Sequence, residues 1–116
     1  MKCVLLKLVS GEELIVHIRP EEYDSQKHDC LALYDPYLLK IESGKIMITM
    51  WMIGSLDSTF IIAKEDIMVR SLPTEQYEKA YDNLLEEKYN MTNSGEEDIM
   101  ELNKNKIIMT GPDSIN

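Results

Sequence analysis

The chain reads as mostly β: a small, strongly bent five-stranded antiparallel barrel followed by a C-terminal amphipathic helix. Three observations lead there. The first seventy or so residues hold five to six short β-prone runs separated by tight-turn residues, the spacing of an antiparallel barrel. Asp35-Pro36 breaks the third run and places an edge, a bulge or a strong bend at that point. After Pro73 the apolar period changes from that of a strand to that of a helix.

Residues 3–9 (CVLLKLV) form the first predicted strand, with Val4, Leu6 and Leu8 facing the core. Ser10-Gly11-Glu12 is a turn in which Gly11 can take a positive φ. Residues 13–18 then alternate Leu14, Val16 and Ile18 inward against Ile15 and His17 outward, so the two runs make a hairpin. Arg19-Pro20 ends it, because proline removes an amide donor. Residues 21–29 (EEYDSQKHD) lack periodicity and are expected to form an exposed loop. The third strand spans residues 30–42, with Leu31 and Leu33 before the break and Tyr37, Leu39 and Ile41 after it. Ser43-Gly44 is the next turn.

Residues 45–72 are the most apolar stretch. In the predicted strand 45–53, Ile46, Ile48, Met50 and Met52 occupy one face, and Met47, Trp51 and Ile53 with Thr49 the other. A half-buried strand shows one apolar face, so a helix, a tail or another subunit is expected over the second. Residues 54–58 interrupt the run, residues 59–63 resume it, Lys64-Glu65-Asp66 turns, and residues 67–71 make the last strand.

From Thr74, an N-cap candidate, Tyr77, Ala80, Tyr81, Leu84, Leu85 and Tyr89 lie on one helical stripe that ends near Asn90. Beside so many acidic residues the tyrosines read as packing groups rather than as a platform for stacking bases. One domain therefore covers residues 1–90, followed by an acidic, partly ordered extension at 91–116. Ser94-Gly95-Glu96-Glu97 fits a capping box, yet residues 98–102 and 106–110 equally fit a hairpin. Ile107, Ile108 and Met109 are expected to dock on an apolar surface, since exposing them invites aggregation.

The net charge of −9 disfavours functions that need a broad positive field, such as non-specific nucleic-acid binding or an anionic membrane surface. Residues 1–72 carry 8 basic and 11 acidic residues and residues 73–116 carry 4 and 10, so the acidity is concentrated in the second part. Cys3 and Cys30 make no metal or redox pair, and the N-terminal apolar run is broken by Lys7. A soluble cytoplasmic protein with no membrane partner is expected.

His28-Asp29-Cys30 is the single cluster of base, carboxylate and nucleophile, and it reads as a loop histidine beside a core cysteine. His17, His28, Asp24 and Asp29 are metal-ligand types without a ligand spacing. No catalytic residue, metal or cofactor is assigned.

The runs VLLKLVSGEELIVHI, LYDPYLLKIE and FIIAKEDIMVRSL together resemble the Sm-like family. More narrowly, Asp35-Pro36-Tyr37, MITMWMIGSLDSTF and IIAKEDIMVRSLPTEQYEKAY are similar to small Sm-like proteins of marine phages and metagenomes, in which a helix follows the barrel. The resemblance spans about residues 1–90. It implies a barrel that joins a homo-oligomeric ring by pairing its fourth strand with the fifth strand of the next subunit. Met47, Trp51, Ile53, Ile67 and Val69 are then the candidate interface residues. RNA-binding members hold bases through a loop Asp and Asn and through an Arg-Gly pair. This chain offers Asp24, Lys27, His28 and Arg70, but no asparagine in the loop and no Arg-Gly pair. The resemblance therefore implies a non-enzymatic ring serving assembly or interaction, with single-stranded RNA or another phage or host protein as its further partner.

Overall fold

The computed structural model describes residues 1–23, 25–94 and 107–110, the last four and residues 91–94 by their backbone. Among these residues seven strands form one antiparallel sheet: β1 (Lys2–Leu8), β2 (Glu13–Ile18), β3 (Cys30–Glu42), β4 (Lys45–Met50), β5 (Thr59–Ala63), β6 (Ile67–Ser71) and β7 (Ile107–Thr110). Their order is β6-β1-β2-β3-β4-β7, with β5 on the first half of β3. Helix α1 (Glu75–Ser94) lies across one face.

The bend at Asp35-Pro36 organises the whole sheet. Along β2, Ile15 faces Tyr37 and His17 faces Tyr34, so β3 carries one extra residue there, a bulge. Asp35 takes a left-handed φ of 51°, which aspartate tolerates better than most residues. Beyond the bulge β3 changes partner, from β4 (Tyr37 opposite Met50) to β5 (Tyr34 opposite Thr59). β4 therefore stops at Met50. Residues 51–53, expected to continue it, turn away because the strand they would pair with has bent. The two-residue turn Ser43-Gly44 joins β3 to β4 with both φ angles positive, 54° and 77°, which matches the twist of a hairpin.

Two apolar clusters fill the two faces. Val4, Leu6, Leu8, Leu14, Val16, Ile18, Leu31 and Leu33 pack inside the curl of the sheet. Cys3, Ile15, Tyr37 and Ile48 pack outside it beneath Tyr81, Leu84 and Leu85 of α1. The expected cover for the second face is thus the helix, and β7 pairs along the edge of β4, Ile48 opposite Ile107. Thr74 caps the helix, its Oγ1 accepting from the Tyr77 N–H at 3.4 Å. The helix runs through Asn90 to Ser94, four residues past the predicted end. Asparagine is a weak helix former but not a stop, and Gly95 is the first glycine after the stripe. Ser94, read as a possible cap of a second helix, closes the first; residues 95–106 lie outside the described chain.

The sheet is curled but open. β5 and β6 are joined by a single 3-10 turn, Lys64–Asp66, yet they do not pair with each other: β5 bonds β3 and β6 bonds β1. The closed barrel expected from the strand count is replaced by a half-barrel whose mouth the turn crosses.

Candidate functional site

The mouth between β5 and β6 is the candidate site. Among the described residues neither strand has a partner on its outer edge. Each is five residues long and carries an exposed apolar residue at its centre, and in β6 Met68 beside it is exposed as well. In β5, Leu31 and Leu33 of the paired strand point inward, so Ala32 and its partner Ile61 point outward. In β6, Val69 is opposite Lys7, on the outward set, whereas Arg70 is opposite the buried Leu6. Ile61 is 73% exposed and Val69 52%. Unpaired edges bearing exposed apolar residues are an aggregation hazard that proteins normally block with charge, proline or cover.

Between the two edges lies a groove of about 760 Å³ lined by Ser25, His28, Asp29, Lys64, Val69 and Arg70, among others. It is built by anchoring the loop at 19–29 to the 3-10 turn. The Lys64 backbone N–H donates to the Asp29 carbonyl at 2.7 Å, and Lys64 Nζ donates to the Ser25 carbonyl at 2.9 Å. The Arg70 guanidinium donates to the Tyr23 carbonyl and stands 5.4 Å from the centre of its ring, over which Lys2 Nζ also sits at 4.7 Å. The structure therefore brings His28 and Arg70, which are 42 positions apart in the sequence, to one groove. Lys27 is exposed beside it, and Asp24 lies outside the described residues.

The interface candidates separate into two sets. Ile53 and Val69 are exposed; Ile67 packs on the inner cluster, and Met47 is half-buried. Trp51 is half-buried too, packed on the inner cluster and edge-on to Phe60 at 6.0 Å. Ile61, Leu56 and Leu72 are exposed apolar residues that the sequence reading did not single out. In residues 59–63 Thr59 is the one polar position, too little alternation to mark Ile61 as outward.

His17 lies under α1, its ring edge-on to Tyr81 at 5.0 Å, whereas His28 and Asp29 line the groove. Among the described residues no three His, Cys, Asp or Glu side chains gather as metal ligands. Burial under the helix lowers the His17 pKa below the ordinary 6.5; Asp82, Asp35 and Glu78 oppose the shift, and the N-terminal ammonium adds to it. The folded state therefore favours the neutral ring. Its contribution to stability is complete above pH 6.5 and is lost as pH falls through the lowered value. Urea unfolding between pH 7.5 and 5 should show falling stability, and His17→Gln should flatten that slope.

Cys3, buried beneath the same helix and near Glu78 and Asp82, has its thiol pKa pushed up to about 12 and is a core residue. Cys30 is exposed at the groove. Among the described residues no helix is long and apolar enough to cross a membrane. The fold and site thus define, among the described residues, an open curled sheet whose β5 and β6 have unpaired outer edges with a polar groove between them. No protein-family model and no curated protein matches the chain.

Proposed function

We propose that this chain is a non-enzymatic, Sm-like assembly module of phage type that forms a homo-oligomeric ring, β5 of each copy pairing with β6 of the next. The single observation carrying the proposal is that, among the described residues, two consecutive strands of equal length each leave an outer edge unpaired, with an exposed apolar residue at the centre of each. In a centred antiparallel pairing Ile61 sits directly opposite Val69 of the neighbour, on the same face. Each copy supplies one edge and accepts one, which closes into a ring when the rotation per copy permits. Light scattering on the purified chain tests the proposal. A closed oligomer of constant mass at micromolar concentration is expected, and a monomer would sink it.

A second reading, single-stranded RNA binding, is favoured by one observation: the groove gathers His28 and Arg70, with Lys27 at its rim. Against it stand Asp29 and Glu65 in the same groove and the net charge of −9. Titrating a labelled uridine-rich oligonucleotide at low salt decides. If the groove binds RNA, affinity tighter than about 10⁻⁴ M is expected, falling with salt and with Arg70→Ala. No binding at that level removes the reading.

A further inference from the structure

We infer that the loop at residues 51–58 is a second contact of the same assembly, its apolar tip seated on Leu72 of the neighbouring copy. The inference rests on the edge pairing proposed above and extends it beyond the two strands.

The tip carries Met52 and Ile53, each about half exposed, and Leu56, fully exposed, within five residues. Large apolar side chains grouped this way on a surface loop mark a contact rather than a chance exposure. The loop is also built rather than loose. The Trp51 N–H donates to the Pro36 carbonyl at 3.2 Å, and the Ser55 N–H to the Met52 carbonyl at 3.1 Å. The Asp57 N–H donates to Ser55 Oγ at 3.0 Å, and the Ser58 carbonyl accepts from the Asp35 N–H at 2.7 Å. Both ends of the loop are therefore tied to the β3 bulge, and its apolar tip is presented in a fixed place. A surface ordered before binding loses less entropy when it binds.

Strand direction selects the occupant. The loop leads directly into β5, and the start of one strand in an antiparallel pair lies beside the end of the other. Residues ahead of Thr59 therefore meet residues after Ser71 of the neighbour. The first of these is Leu72, 57% exposed on its own copy. Leu56 stands three residues ahead of Thr59 and Leu72 one residue after Ser71. Three residues span at most about 10 Å, so the two side chains can touch. Two leucines left exposed among the described residues would then cover each other.

Leu56→Cys and Leu72→Cys, each made in a Cys30→Ser chain so that buried Cys3 is the sole other thiol, are mixed and oxidised. A disulfide joining the two variants is expected at least tenfold above the self-linked product of either alone, because only the mixture brings thiols at positions 56 and 72 together. In addition, Leu56→Ser should weaken assembly about tenfold. An oligomer that forms without the mixed disulfide and ignores Leu56→Ser overturns the loop contact and leaves the edge pairing standing. A monomeric wild-type chain overturns both.

Discussion

Replacing Tyr81 by alanine is expected to lower the free energy of unfolding by about 3–5 kcal/mol, the usual cost of deleting a buried aromatic ring. Tyr81 is fully buried and joins three parts of the fold. Its ring packs edge-on to His17 of β2 at 5.0 Å and to Tyr37 of β3 at 5.7 Å. Its hydroxyl donates to the Asp35 carbonyl at 2.7 Å, and burial drives the phenol pKa far above its usual value, so the donor stays protonated. Tyr81→Phe keeps the ring and removes only the donor, and should cost about 1 kcal/mol. Urea unfolding followed by the fluorescence of Trp51, the single tryptophan, measures both at one fixed protein concentration. Equal losses for the two variants would show that the ring contacts contribute nothing.

The same helix pins the bulge from its next turns. Lys88 Nζ pairs with Asp35 Oδ1 at 2.9 Å, and the Tyr89 hydroxyl donates to Oδ2 at 2.7 Å. Burial, then the donated hydrogen bond and the adjacent charge, push the Tyr89 pKa up to about 12. A bent strand at Asp35 thus has its carbonyl and both carboxylate oxygens held by side chains at positions 81, 88 and 89.

Most of this architecture was legible because it rests on local chemistry. Alternation found the inner cluster, the positive-φ turns fell at Gly11 and Ser43-Gly44, and the tyrosine and leucine stripe identified the face α1 lays on the sheet. What escaped depends on pairing between distant segments. That β5 and β6 part company across a three-residue turn is decided by their bonds to β3 and β1. That Trp51, an interface candidate, packs on the inner cluster was not legible because the sequence could not show the strand bending opposite it. The groove was illegible for the same reason: the Lys64 contacts to Ser25 and Asp29 tie the loop to the turn at 64–66, and no local pattern encodes them.

In the ring proposed above, lysine in place of Ile61 is expected to weaken each joint, raising its dissociation constant up to about fivefold. In the pairing proposed here position 61 is central, and lysine there exchanges the apolar cross-strand contact with Val69 for a solvated ammonium, a loss of about 0.2–1 kcal/mol per joint against about 1.4 kcal/mol for each tenfold in affinity. The isolated chain should scarcely notice, because Ile61 is mostly exposed in it and lysine is a normal edge residue; its unfolding free energy should stay within about 0.5 kcal/mol. Val69→Lys should do the same from the other edge. Each variant retains one sound edge: Ile61→Lys keeps its β6, and Val69→Lys keeps its β5. Mixing the two should therefore favour a dimer with one good interface over larger species, since the remaining edges both carry lysine. Native mass measurement separates the outcomes. A mixture that assembles no better than either variant alone, or single variants that assemble as tightly as the wild-type chain, would show that these two strands are not the joint.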